Sequence, residues 1–146
     1  MAADPDRVRQ LIYTSQAASP FDAAALRALL TLARARNTAA NVSGMLLHVD
    51  GSFLQVLEGE ADVVVPLFEK IGRDVRHRRV ITLLARELEV RNFADWSMGF
   101  FDGSARAATT PGYRATTGFA DLAGDPVALV RIVGEFRSGR WRQLAA

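Results

Sequence analysis

The side chains best suited to specific chemistry in this sequence are amides and phenols that stand among apolar residues. Gln55 lies within GSFLQVLEG, residues 51–59, which has the composition of a strand bracketed by turn-forming glycines. Alternate residues of a strand share a face, so Gln55 lies on the same face as Phe53 and Leu57. A buried amide without partners costs about 1–3 kcal/mol, so we expect Gln55 to have a specific hydrogen-bonding partner.

Other polar side chains continue apolar faces in the same way. Tyr13 lies between Leu11 and Ser15 on one face of a predicted first strand. Asn37 and Asp74 each follow the apolar stripe of a predicted helix at the next helical step. Together these groups indicate a planar, heteroaromatic ligand with several hydrogen-bonding edges, and the residues alone leave its identity open.

Each of these residues also has a structural interpretation. Asn37 has the alternative role of a helix C-cap, and Tyr13 that of a core tyrosine whose hydroxyl binds a carbonyl. Asp74 has the alternative role of a cap or of a partner for a neighbouring arginine. Trp96 and Met98 are residue types that are more often core than cofactor contacts. The amide in GSFLQVLEG has the weakest such alternative, because glutamine is uncommon between Phe and Leu on a covered strand.

The composition excludes several kinds of chemistry. The chain has 146 residues and no cysteine, which excludes disulfides, thiolate metal sites, cysteine nucleophiles and cysteinyl–flavin photochemistry. Its net charge is +2 and Lys70 is its sole lysine, so only a local arginine patch could attract nucleic acid. No apolar run approaches the roughly 18 residues that span a bilayer, and MAADPDR at the start does not resemble a signal peptide. We expect a cytoplasmic protein with no membrane contact and no metal site.

The predicted elements follow the order β-α-β-β-α-β-β. Strands are expected at 9–15, 42–49, 52–58, 79–90 and 95–101, and helices at 19–37 and 61–74. Asp50-Gly51 predicts a hairpin turn, and Ser19 is the predicted N-cap of the first helix. This order is typical of an α+β, ferredoxin-like fold, with a five-stranded mixed sheet and two helices on one face.

The sequence divides into a domain and an extension. Residues 1–101 are expected to form the binding domain, and residues 102–146 a C-terminal loop and helix. Asp125-Pro126 resembles an N-cap followed by the first helical position, and apolar spacing predicts a helix over 127–136. We expect this extension to pack on the remaining sheet face or on a neighbouring subunit.

Five segments in order resemble the BLUF domains, a family of blue-light sensors that use FAD. They are LIYTS with Tyr13, the segment from Asn37 to Gly44, GSFLQVLEG with Gln55, residues 73–80, and FADWSMGF at 93–100. The resemblance covers roughly residues 9–101 with family-like spacing, as in short stand-alone members. Val42-Ser43 replaces the usual Ile-Thr, and His48 stands where Tyr is common.

The resemblance implies a non-covalently bound FAD, with FMN or riboflavin as alternatives. It implies that Tyr13 and Gln55 form the photoactive pair, with Gln55 between the phenol and the N5/O4 edge of the flavin. The implied cofactor-binding residues are Asn37, Gln55, Tyr13, Ser15, Asp74, Arg76 and His77. The implied signal-relay residues are Trp96 and Met98.

The same resemblance implies a mechanism without enzymatic turnover. Blue light is expected to excite the oxidised flavin, after which Tyr13 donates an electron and then a proton, and the pair recombines once Gln55 has rotated or tautomerised. A stronger hydrogen bond to flavin O4 then implies a small red shift that reverts in the dark. A switched hydrogen bond is worth about 1 kcal/mol, so we expect output through the last strand and C-terminal helix, to a homo-oligomer contact or a downstream protein.

Two other functions stay open from the residues alone. A flavin redox enzyme would need an acid–base pair, for which His48 and His77 are the only histidines. A ferredoxin-like nucleic-acid-binding module would use the arginines at 73, 76, 78 and 79 and those of the C-terminal tail. Nucleic acid is the less expected partner, and a colourless protein with salt-dependent oligonucleotide binding would favour it.

Overall fold

The computed structural model describes residues 7–19, 22–94, 97–102 and 119–137. The strands are β1 (Val8–Ala17), β2 (Ser43–Val49), β3 (Ser52–Gly59), β4 (His77–Leu88) and β5 (Gly99–Asp102). The helices are α1 (Ala23–Ala40), α2 (Ala61–Gly72) and α3 (Pro126–Arg137), and a short 3₁₀ helix at Ala120–Gly124 precedes α3. The predicted order of elements is confirmed.

The five strands form one mixed sheet in the order β4-β1-β3-β2-β5. β1 pairs antiparallel with β3 and with β4, and β3 pairs antiparallel with β2. β2 and β5 are parallel, which requires the long excursion of the chain through β3, α2 and β4. This topology confirms the predicted ferredoxin-like arrangement with one added strand.

The sheet is covered on both faces. On one face, which we call the cleft face, α1 and α2 pack through Leu26, Leu30, Val64 and Ile71. On the opposite face, which we call the α3 face, the 3₁₀ helix and α3 pack on the sheet through Leu122, Leu129, Ile132 and Val133. Because strand residues alternate between faces, each strand contributes to both cores.

Local chemistry fixes the turns that position these elements. Asp50 and Gly51 both have positive φ, at 47° and 83°, as a two-residue hairpin turn of type I′ requires. Gly44 allows β2 to approach β3, because a Cβ at that position would overlap the carbonyl oxygen of Val56. The predicted hairpin is thereby confirmed.

The predicted N-cap of α1 was wrong, and the alternative role of Asn37 as its C-cap is not observed. The N-cap of α1 is Asp22 and not Ser19, because the Asp22 carboxylate accepts a hydrogen bond from the Ala25 N–H at 2.8 Å. The C-cap is Asn41, which takes the left-handed conformation with φ 55°, so α1 continues one turn beyond Asn37. Asn37 is therefore inside the helix, with its side chain buried.

Candidate functional site

The centre of the cleft face is a hydrogen bond between two buried side chains on neighbouring strands. Tyr13 on β1 and Gln55 on β3 occupy paired positions of the sheet, and the Tyr13 hydroxyl donates to Gln55 Oε1. The Tyr13 ring also lies 4.9 Å from the ring of Phe68 on α2. Burial raises the pKa of the Tyr13 phenol above its ordinary value, and the nearby positive charge of Arg36 partly offsets this rise. The phenol is therefore a protonated donor.

The other end of the Gln55 amide reaches the segment that leads into β5. Its Nε2 donates to Met98 Sδ at 3.7 Å, and both side chains are buried. Thioether sulfur is a weak acceptor, so this bond holds the amide less firmly than the phenol does. The amide thus bridges β1 and the segment leading into β5. Its orientation decides whether its N–H group points toward Met98 or toward Tyr13.

Helix α1 holds the same segment through two further side chains. Asn37 Nδ2 donates to the carbonyl oxygen of Ser97 at 2.7 Å, and Arg34 Nε donates to that of Met98 at 3.0 Å. The Oδ1 atom of Asn37 is buried and has no hydrogen-bond partner among the described residues. A buried amide oxygen without a partner is costly, so this atom marks a position where a ligand donor would be stabilising.

A cleft opens between α1, α2 and the sheet next to Gln55. It contains about 520 Å³ of unfilled space, counting the part that opens to solvent. Gln55 and Arg36 are among the side chains that line it, and the others are Ser15, Leu29, Ala33, Leu46, Phe53, Ile71, Asp74, Arg76 and His77. Arg36 Nε is buried without a partner in the described structure, and burial lowers the pKa of its guanidinium. The cleft therefore combines apolar walls with an unpaired donor.

The loop after α2 forms the polar end of the cleft. Arg76 makes a bidentate contact with Asp74, with Nη2 2.6 Å and Nε 3.0 Å from the carboxylate oxygens. This hydrogen bonding lowers the pKa of Asp74 to about 2. His77 Nε2 lies 2.6 Å from the Ile71 carbonyl oxygen and must donate to it, which leaves Nδ1 to accept from Ser15 Oγ at 3.5 Å.

Most of the predicted site residues come together on this face. Ser15, Gln55, Asp74, Arg76 and His77 line the cleft. Tyr13, Asn37 and Met98 do not line it but are bonded to, or adjacent to, residues that do. Trp96, the remaining predicted relay residue, lies outside the described residues.

Sequence reasoning missed the arginines of α1. Arg34 lies four residues after the buried Leu30, so helical spacing alone could have placed it on the inner face. Arg36 directly precedes Asn37, and its partly buried position depends on how α1 tilts over the sheet. Only the packed structure gives that angle.

Both histidines take part in local structure. His48 Nε2 accepts a hydrogen bond from the Gly51 N–H at 3.1 Å, within the β2–β3 hairpin, and His77 bonds the Ile71 carbonyl oxygen in the last turn of α2. Among the described residues there is no group of three or more His, Cys, Asp or Glu side chains that could hold a metal. Across the same residues, no helix is long and apolar enough to cross a membrane.

The sequence and fold of this chain match those of a family of blue-light sensors. The family model described as "Sensors of blue-light using FAD", BLUF, matches residues 8–99, which is most of the chain. The chain therefore belongs to the BLUF family of blue-light photoreceptors, which bind flavin.

Similar proteins of known structure or curated description agree with this membership. The chain is 40% identical over 93 residues to the photoactivated adenylate cyclase subunit alpha-like protein FB of Euglena gracilis, a match over 64% of this chain and 9% of that protein. BlsA in its ground state is 30% identical with a TM-score of 0.77, over 94% of this chain and 92% of BlsA. A bacterial light-regulated adenylyl cyclase matches with 28% identity and a TM-score of 0.63, over 65% of this chain and 28% of that one.

The chain covers only a small part of the curated relatives. It spans about a tenth of the length of the photoactivated cyclase subunits that it matches. The matched stretch of 93 residues is about as long as the BLUF region of this chain, residues 8–99.

Proposed function

We propose that this chain binds FAD in the cleft between α1 and α2, and that light acts on it through Tyr13 and Gln55. The observation that carries the proposal is the buried Gln55 amide, hydrogen-bonded to the Tyr13 phenol on one side and lining the cleft on the other. An amide so placed can exchange a donor for an acceptor toward a ligand without changing its shape.

The polar atoms around the cleft fit a flavin. A flavin ring carries carbonyl oxygens and ring N–H and N atoms along one edge. Asn37 Oδ1 and Arg36 Nε are buried atoms without hydrogen-bond partners in the part of the chain that the structure describes. Arg76 and His77, at the polar end, suit the ribityl and phosphate part of the cofactor. Asn37, Ser15, Asp74, Arg76 and His77 are therefore the proposed binding residues.

The chain's own residues supply a reversible switch. A bound flavin supplies absorption of blue light and accepts an electron and a proton. Tyr13 is the donor of both and recovers both afterwards, so no net redox change remains. If Gln55 turns over in that interval, its oxygen replaces its N–H opposite Met98, and the 3.7 Å bond to the sulfur is lost. The start of β5 then loses one of its bonds to the site.

Output is proposed to pass from β5 to a partner. The released bond, to a weakly accepting sulfur, is worth at most about 1 kcal/mol, which can bias a two-state contact with a second copy of this chain or with a separate protein. We propose that the chain is a sensor without catalytic activity of its own. The cyclase activity in the names of its relatives belongs to proteins about ten times longer than the matched region.

An absorption spectrum before and after blue light tests the proposal. The purified, flavin-loaded chain should show a small red shift of its visible bands that reverses in the dark. Chromatography of the cofactor released on denaturation should identify FAD rather than FMN or riboflavin. Bands that do not move under illumination would overturn the proposed switch.

A further inference from the structure

The α3 face carries a row of four polar side chains opposite the cleft, three of them buried. Arg86, Gln10, Glu58 and Ser43 occupy successive paired positions on β4, β1, β3 and β2. We call these four residues the polar row. Gln10 and Glu58 have no exposed surface, and Ser43 is buried. Buried polar groups are tolerated where their hydrogen bonds are complete, so the bonds of this row decide its role.

The row is bonded from strand to strand. Arg86 Nε donates to Gln10 Oε1 at 2.7 Å, and Gln10 Nε2 donates to Glu58 Oε2 at 2.8 Å. Gln10 therefore uses its acceptor on one neighbour and a donor on the other. The Glu58 carboxylate is held from one side, and its second oxygen is free to accept from another segment.

That segment is the connector between β4 and β5, which is described at residues 89–94 and 97–98. Glu58 accepts from the backbone N–H of Phe93 at 2.7 Å and from that of Asn92 at 3.1 Å. Arg91 donates to Ser43 Oγ at 3.1 Å and to the Asn41 carbonyl oxygen at 2.6 Å. Arg91, Asn92 and Phe93, three consecutive connector residues, are thus bonded to the polar row.

The two ends of the connector face opposite sides of the sheet. Its first part ends at Phe93, which is buried in the same core as Phe119, Leu129 and Ile132 of the α3 face. Its last part, Ser97 and Met98, is bonded to Asn37, Arg34 and Gln55 of the cleft face. Phe93 is thus one described residue through which a displacement at Met98 can reach the α3 core.

Resting on the proposed function, we propose that Glu58 is a positioning residue for signal output. Its carboxylate holds the backbone N–H groups of Asn92 and Phe93 in place, so that release of Met98 from Gln55 turns the Phe93 side chain against α3 about that anchored backbone. A carboxylate suits this role because it accepts bonds at both oxygens, whereas an amide offers one accepting oxygen.

Hydrogen exchange on the flavin-loaded full chain, with and without blue light, tests this role. In the parent chain we expect illumination to raise exchange in α3, residues 126–137. Glu58→Gln keeps the size of the side chain but presents an NH₂ group to a backbone N–H. It should keep the spectral shift and lose the light-induced change in α3. Glu60→Gln, an exposed position two residues away, is the control and should behave as the parent.

The light-minus-dark difference separates positioning from mere structural support. A supporting role would raise exchange of the Glu58→Gln variant equally in dark and light, and an undiminished difference in α3 would overturn the proposal. If Glu58→Gln does not fold, Gln10→Leu decides, because it removes one bond to Glu58 and should reduce the α3 difference. An illuminated parent chain that shifts its spectrum without any change in α3 also overturns the proposal. A parent chain with no spectral shift overturns the proposed function instead, and the inference with it.

Discussion

The two faces of this sheet treat buried polar groups in opposite ways. On the α3 face, Gln10 uses its oxygen and its nitrogen on Arg86 and Glu58, and the carboxylate in turn holds two backbone N–H groups. On the cleft face, Asn37 Oδ1 and Arg36 Nε are buried without partners among the described residues. A complete network stabilises one geometry, whereas an incomplete one beside a cleft is prepared for a ligand.

The contrast extends to two buried glutamines. Gln10 and Gln55 lie on the neighbouring strands β1 and β3, three positions apart along the paired register. Each is at most 9% exposed. Gln10 is bonded through charged groups at 2.7 and 2.8 Å, but Gln55 shares its amide between a phenol and a weakly accepting sulfur. Only the second amide can exchange its ends at small cost, so it is the one suited to switching.

Removing the phenol should have the largest effect. Tyr13→Phe removes the proposed donor, so we expect bound flavin and yellow colour but no light-induced shift. It also leaves Gln55 Oε1 without its donor, which should lower the free energy of unfolding by about 1–3 kcal/mol. Difference spectra and urea unfolding measure the two effects.

The neighbouring hydroxyl on the other face provides the matched control. Thr14 donates to the Phe53 carbonyl oxygen at 2.9 Å, so Thr14→Val also removes a buried hydroxyl of β1. This substitution should lower the free energy of unfolding by a similar amount and leave the full spectral shift. A Tyr13→Phe protein that still shifts reversibly would show that another residue is the donor.

Removing the Asn37 amide should have an intermediate effect. Asn37→Ala deletes the buried Oδ1 that we assign to the flavin and the bond to Ser97. We expect affinity for FAD to fall by about tenfold, which corresponds to about 1.4 kcal/mol. Titration of flavin fluorescence measures it. Asn41→Gly is the control, because glycine accepts the left-handed φ of 55° at that C-cap, and unchanged affinity in Asn37→Ala would remove it from the site.

The smallest effect concerns the half-exposed pair at the polar end of the cleft. Because Arg76 lowers the pKa of Asp74 to about 2, the pair's contribution to stability is complete above about pH 4 and is lost as pH falls toward 2. For such an exposed pair this contribution stays below about 1 kcal/mol. Carboxyl NMR titration should show a midpoint near 2, and Arg76→Gln should move it up toward about 3.9. A midpoint that Arg76→Gln leaves in place would assign the shift to another group.

Much of the fold could be predicted because its signals are local. The hairpin followed from Asp50-Gly51, whose residue types tolerate positive φ, and the helices followed from apolar spacing. The α1 cap was missed because Ser19 and Asp22 both suit an N-cap, and only the packed helix decides between them.

Most residues of the site could be predicted from the sequence, but the hydrogen-bond partners of the buried polar groups could not. An amide between Phe53 and Leu57 already indicated a special partner for Gln55. The partners of Gln10 and Glu58 could not be predicted, since they come from strands and a connector far apart in sequence. Which buried atoms lack partners is a property of the packed fold alone.

Replacing each of the two buried glutamines in turn tests the central claim most directly. Gln55→Leu and Gln10→Leu remove the same side chain from opposite faces of the sheet, and both flavin-loaded proteins can be compared with the parent by light-minus-dark absorption. We expect Gln10→Leu to keep the reversible red shift and Gln55→Leu to lose it while retaining the flavin. A full, reversible shift in Gln55→Leu would contradict the account, because the switch would then not depend on that amide.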